Sequence, residues 1–168
     1  SDELLRGVAE RVNQHSPVGP GIHTHASEQL DEVALVRART GQDNVLALRD
    51  RGIAGPRTVL AHCVHVSPDE MAQMAQDGTH VTHCPSSNLK LGSGIAKIVQ
   101  LLAAQVNVAL GADGAPCNNR LDGFAELRLL ARGDTALPAH IAEALSKTQA
   151  GTHLRVAGRK VPMWVLLP

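Results

Sequence analysis

Short apolar runs alternate along this chain with longer stretches in which apolar residues recur every third or fourth position, the pattern of strands interleaved with amphipathic helices. Ser1 to His15 predicts a helix, with Ser1 as a candidate N-cap and Leu4, Leu5, Val8 and Val12 on one face. Gly21 to Thr24 follows as a short buried strand. Glu28 to Thr40 predicts a second helix, with Leu30, Val33, Ala34 and Val36 or Arg37 at helical spacing and Gly41 as its stop. Asp43 to Asp50 reads as a short helix before the breaks at Gly52 and Gly55-Pro56, and Thr58 to Ala61 as a strand. Ser67 to Gln76 opens with Ser-Pro-Asp-Glu, a capping box with proline at the first helical position, and Gly78 closes it. Val81-Thr82 reads as a strand, Cys84 to Gly94 as a turn-rich segment, Ile95 to Gln105 as a helix, Val106 to Leu110 as a β-rich run and Leu121 to Arg132 as a helix. The last stretch, Gly151 to Pro168, reads as extended, with an apolar run from Val161 to Leu167 in which Pro162 argues against a central strand.

Strands separated by helices predict βαβ units and a parallel sheet, so the expected class is α/β. Strand positions begin near residues 21, 58, 80 and 106. Four such units are half of a (β/α)8 TIM-type barrel, whose usual length is about 250 residues. An isolated half barrel exposes two sheet edges and its inner face. The chain is therefore expected to be a portion of a longer protein, to pair with a copy of itself or another chain, or to be a truncated relative.

Charge narrows the partners: sixteen basic residues balance sixteen acidic ones, and without a run of like charge neither a nucleic-acid stripe nor a membrane-surface helix is expected. A small molecule is the expected partner. Cys63, Cys84 and Cys117 show no CxxC spacing, and no apolar stretch suits a signal peptide or a membrane span, so a reducing cytoplasm is the expected setting. The only aromatic residues are Phe124 and Trp164, which leaves the core to Leu, Val, Ile and Ala. Nine histidines against those two aromatics point to chemistry.

Most of that chemistry falls just after the expected strands: His23 and His25 after the first, His62 and His65 after the second, His83 after the third, Asp113 after the fourth. In a βα barrel this is the catalytic end. Histidine nitrogens and a carboxylate are the ligands that a catalytic Zn2+ or Fe2+ takes, with one position open for water. Any one of these histidines alone reads as a polar residue at a strand end; their common register does not. His15, His80, His140 and His153 lack that placement and read as surface residues. Glu28, three residues past His25, is placed either to shuttle a proton or simply to sit in the first turn of the next helix, where negative charge is favoured.

Four ordered blocks carry a resemblance: His25-Ala-Ser-Glu28; Ala61-His-Cys-Val-His65; His83-Cys-Pro-Ser-Ser-Asn-Leu-Lys-Leu-Gly92; and Leu110-Gly-Ala-Asp-Gly-Ala-Pro-Cys-Asn-Asn119. In order and spacing they resemble the strand-five to strand-eight motifs of the cytosine/guanine deaminase and chlorohydrolase branch of the amidohydrolase superfamily, over about residues 1 to 148. The resemblance implies a fold made of strands five to eight of the barrel with the N-terminal half absent. It implies a C-terminal half-barrel domain over 1–150 and a remnant of the closing segment over 151–168. It also implies that His25 and Asp113 are metal ligands, that Glu28, His62 and Asp113 are catalytic, and that His83, Ser87, Asn88 and Asn118 bind substrate. His23 goes to the barrel wall or pocket. Asn118 and Asn119 either close the pocket or cap the helix near Leu121.

The implied activity is hydrolytic deamination of an aminopurine, a purine nucleoside or a related N-heterocycle by attack of metal-bound water, with one divalent ion, zinc first and iron second. Dechlorination of a triazine-like ring is the close alternative, and a catalytically inactive fragment is the third. The sequence departs from the family in lacking the strand-one HxH pair, in Lys97 where relatives carry proline, in Gly123 before Phe124, and in its loose match over Gly158 to Leu167. With the HxH pair missing, the expected partner is a homo-oligomeric copy or the absent N-terminal half.

Overall fold

A computed structural model of the chain describes residues 1–15, 19–119 and 121–133, together with the backbone of 154–156 and 159–161. Helix α1 (Asp2–Asn13) begins at Ser1, whose hydroxyl accepts from the Leu4 amide as an N-cap should. Strand β1 (Ile22–Ala26) follows, then α2 (Leu30–Thr40), α3 (Asn44–Arg49), β2 (Thr58–His62) and α4 (Pro68–Asp77). Beyond them lie β3 (His80–His83), α5 (Pro85–Lys90), α6 (Ile98–Ala103), β4 (Asn107–Leu110) and α7 (Gly123–Gly133). The four strands make one parallel sheet in the order β1-β2-β3-β4. The α/β class with a parallel sheet is thus as the periodicity implies.

Three boundaries differ from the expected ones. The second helix starts at Leu30, not Glu28, because Gln29 has extended backbone and acts as N-cap, so Glu28 stands outside it. The turn-rich stretch after β3 contains α5, which Pro85 starts with its preset φ and the Asn88 amide closes on the Cys84 carbonyl at 2.9 Å. Helix α6 is shorter than expected, since Lys97 before it is not helical and Gln105 beyond it takes positive φ. In the C-terminal stretch, β5 (Leu154–Val156) pairs antiparallel with β6 (Arg159–Val161); the rest of the expected apolar run to Leu167 lies outside the described residues.

The core lies between the sheet and its helices, with Leu60 and Val81 of the strands against Val66, Met71 and Met74 around α4 and Ile98 and Leu101 of α6. Aliphatic side chains fill it as composition requires. On β1, Ile22, Thr24 and Ala26 are the more buried residues, while His23 and His25 alternate with them and are exposed. Among the described residues, β1 and β4 each leave one edge unpaired.

Glu70 ties two of these elements together. As the third residue of α4 it accepts the Ser67 amide at 2.7 Å in the capping box, and its other oxygen accepts the Val45 amide of α3 at 2.8 Å. It is 1% exposed, so both donors depend on it. Glu70→Ala is expected to destabilise the chain by about 2–4 kcal/mol through two orphaned amides, read as a shift of the urea midpoint; a shift below about 1 kcal/mol would show that water replaces the carboxylate.

Candidate metal centre

At the C-terminal end of the sheet the chain leaves three of the four strands through left-handed backbone. Ser27 after β1, His62 and Cys63 at the end of β2, and Asp113 after β4 have φ of 52°, 70°, 47° and 60°. Non-glycine residues take such angles at a cost of about 1–3 kcal/mol and gather at functional sites. Here the turns are pinned by backbone bonds: the Cys63 amide donates to the Ala26 carbonyl at 3.0 Å and the His65 amide to Ser27 at 2.9 Å. Gly111 permits the last exit, since a Cβ there would lie 2.6 Å from the Thr82 methyl.

These exits bring His25, His62 and Asp113 together, each offering one ligand atom within 4.8 Å of the others. The two imidazoles stack with centroids 5.4 Å apart. Ligand atoms about 2.0–2.2 Å from one zinc ion lie roughly 3–4 Å apart, so small side-chain rotations suffice to close the set. Two imidazole nitrogens and a carboxylate oxygen are the donor chemistry of a catalytic zinc or non-haem iron site. The residues fit a divalent ion.

Burial pushes the Asp113 carboxyl up, but the Ser87 hydroxyl, the Gly114 amide and the charges of His62 and His25 outweigh it and hold the group below its ordinary value. The Ser87 Oγ donates to Asp113 Oδ2, and the Gly114 amide to Oδ1 at 2.7 Å. Glu28 Oε2 stands 3.6 Å from His62 Nε2. The reading of Glu28 as a first-turn helix charge is therefore overturned: that turn carries Asp31 and Glu32 instead. Glu32 accepts the amides of Ser27, Glu28 and Gln29 at 3.1, 2.8 and 3.4 Å and so folds the Glu28 loop toward the strand ends.

The other expected residues are distributed as follows. His62 Nδ1 lies 2.8 Å from Asn88 Oδ1. His83 is 2% exposed, its Nδ1 has no partner among the described residues, and with Pro85, Leu89 and Ile95 it lines a small cleft. The Asn88 amide nitrogen is likewise buried without a partner among the described residues. Asn118 donates to the Ala112 carbonyl at 2.8 Å and to Glu126 at 2.7 Å. Asn119 accepts from Lys90 Nζ at 2.7 Å. Neither caps α7; Asp122 does, accepting the amides of Phe124 and Ala125.

His65 turns away from the cluster, with Nε2 2.8 Å from the Ser93 carbonyl, and His80 sits at the opposite end of β3 against Pro56. His23 shares the exposed face of β1 with His25, and burial, then the charges of His25 and His62, lowers its pKa. Ser93, Gln29 and Glu32 join the site without belonging to the expected set. Of these only Glu32 carried a local signal, as the third residue of a helix capping box.

The sequence profile of the amidohydrolase family matches residues 1–150. The chain is 44% identical over 145 residues to the 5-methylthioadenosine/S-adenosylhomocysteine deaminase of Moorella thermoacetica, covering 82% of this chain and 33% of that protein. Among solved structures, an adenosine deaminase from Xanthomonas campestris with bound zinc superimposes with a TM-score of 0.76 at 36% identity, over 86% of this chain and 32% of that one. The zinc complex of atrazine chlorohydrolase from Arthrobacter aurescens gives 0.75 at 26% identity, over 85% and 31%. The chain spans about a third of the length of the curated relatives it matches.

Burial, then the charge of His62, pushes the His83 imidazole down to about 4, so the fold holds it neutral. Stability from this neutral ring is complete above the unfolded value of about 6.5 and is lost as pH falls below it. Urea midpoints are expected to fall as pH drops from about 6.5 towards 4, with a shallower fall in His83→Gln; equal slopes in the two proteins would show that the ring is not held neutral.

Proposed function

The chain belongs to the amidohydrolase family, and from that membership we propose that its protein is a metal-dependent hydrolytic deaminase of an aminopurine nucleoside or a related N-heterocycle. The observation that carries this reading is the convergence of His25, His62 and Asp113 on one point with the Glu28 carboxylate beside them. The ion proposed is Zn2+, held by His25 and Asp113 with His62 facing the same point; Fe2+ takes the same donors. Such an ion supplies Lewis acidity, lowering the pKa of a water towards about 7.

The chain's own residues supply the remaining steps. Asp113, held ionised, accepts a proton from the water that attacks the amino-bearing ring carbon. Glu28 delivers a proton to the adjacent ring nitrogen, and His62 faces the charge that develops there. Carbon–oxygen bond formation and loss of ammonia then leave the ring carbonyl. The buried His83 Nδ1, unpartnered among the described residues, suits a heterocycle that brings its own polar edge.

In the same reading β1 to β4 are strands five to eight of a (β/α)8 barrel. The open β1 and β4 edges and the uncovered histidine face of β1 support this assignment. Residues 1–150 then form the C-terminal half of the barrel and 151–168 part of its closing segment. Further ligands, an HxH pair, come from the first strand of the other half. Loss of chloride from a triazine-like ring is supported by the likeness to the chlorohydrolase, but greater identity to deaminases favours ammonia as the leaving group.

The test is metal content together with ammonia release from a panel of aminopurines and their nucleosides, with this chain alone and combined with the N-terminal half of a relative. One ion per chain and ammonia from the combined preparation are expected. No metal and no ammonia in either preparation would overturn the reading. In the active preparation Glu28→Gln is expected to slow ammonia release by about 10²–10⁴-fold with metal content unchanged, whereas full activity would remove Glu28 from the proton path.

A further inference from the structure

One short segment after β3 touches a reactive side chain from each of the other three strands. Ser87 donates its hydroxyl proton to Asp113 after β4, Asn88 meets His62 Nδ1 of β2 at 2.8 Å, and Ser93 donates to Glu28 after β1 at 3.1 Å. Directionality is set by what surrounds them. Gln29 Nε2 can only donate, so at 2.7 Å it uses a lone pair of Ser93 Oγ and leaves that hydroxyl's one proton for Glu28. The Ser87 proton likewise has a carboxylate as acceptor. The Asn88 carbonyl oxygen can only accept, so its 2.8 Å contact puts a proton on His62 Nδ1 and leaves Nε2, 3.6 Å from Glu28, as the nitrogen that faces the site.

Ser87, Asn88 and Ser93 are 0%, 1% and 3% exposed. Each stands behind the group it touches. The segment itself is anchored: the Ser93 amide donates to the Asn88 carbonyl at 2.8 Å, His65 Nε2 meets the Ser93 carbonyl at 2.8 Å, and the Ser86 amide donates to Glu126 at 2.9 Å.

We infer that Ser87, Asn88 and Ser93 are positioning residues: residues 87–93 act as a single brace that fixes the tautomer of His62 and the carboxylate directions of Glu28 and Asp113. The roles of those three groups rest on the deaminase reading above; the brace itself rests on the hydrogen bonds. This differs from direct substrate contact by Ser87 and Asn88, because the Ser87 hydroxyl proton and the Asn88 carbonyl oxygen are already engaged by Asp113 and His62. Outer partners of this kind, when removed, cost about 10–100-fold in activity or metal affinity.

The test uses Asn88→Leu, Asn88→Asp, Ser93→Ala and Ser93→Thr. Long-range proton–nitrogen NMR of the metal-free chain at alkaline pH reads the His62 tautomer. Protonation at Nδ1 is expected in the parent and in Asn88→Asp, with a change to Nε2 in Asn88→Leu. In the ammonia-releasing preparation, Asn88→Leu and Ser93→Ala are expected to lower kcat by about 10–100-fold with KM within about twofold, and Asn88→Asp and Ser93→Thr to recover most of it.

A His62 tautomer indifferent to Asn88→Leu, or a raised KM at unchanged kcat, would overturn the brace in favour of substrate contact. If Asn88→Leu does not fold, the kcat and KM of Ser93→Ala decide the matter: a lowered kcat at unchanged KM supports the brace, and a raised KM at unchanged kcat overturns it. Should the parent release no ammonia from any substrate, the deaminase reading fails while the NMR result still decides the brace.

Discussion

The register of four parallel strands is the constraint on which the site depends. Ala26 lies opposite His62 and His83 opposite Leu110, so the strands end level and their reactive side chains emerge at one edge of the sheet. A slip of one residue would turn His25 toward the helix-covered face and Ala26 out of it, since strand side chains alternate. Burial of Ala26, Leu60 and Val81 at 0% exposure opposes that slip. The aliphatic core and the chemistry are thus two faces of one register.

Three glutamates then hold the loops that the register leaves to be placed. Glu32 gathers the amides of residues 27–29, Glu70 joins the start of α3 to that of α4, and Glu126 joins α7 to both Ser86 and Asn118. Each spends its charge on backbone or amide donors, which satisfies groups that would otherwise be buried unpaired. The left-handed turns at Ser27, His62, Cys63 and Asp113 run between these fixed points, so the framework holds the strained backbone of the reactive residues in place.

The uncovered side of the sheet gives the architecture its functional sense. Helices protect one face, while His23 and His25 stay exposed on the other and two strand edges remain unpaired among the described residues. In the half-barrel reading proposed above, the other half of the barrel would cover that face. The brace of residues 87–93 also explains how reactive side chains so close to an open face can keep their directions: their support comes from behind, within the covered part of the fold.

Strand order, the parallel class and the placement of histidines at strand ends were legible in the sequence, because periodicity, capping boxes and glycine stops act within a few residues. The capping box at Ser67 to Glu70 and the αL stops at Gly41 and Gly78 were read this way and stand in the structure. Local pattern could not separate His62, which joins the cluster, from His65, which turns to the Ser93 carbonyl, nor show that Glu28 stands before α2 and not within it. Nor could it pair Ser93 with Glu28 or Asn88 with His62, contacts that span 65 and 26 positions. The sequence by itself determined which residues reach the end of the sheet; only the tertiary structure decided which of them meet, because meeting depends on register, left-handed exits and buried hydrogen bonds between segments far apart in the chain.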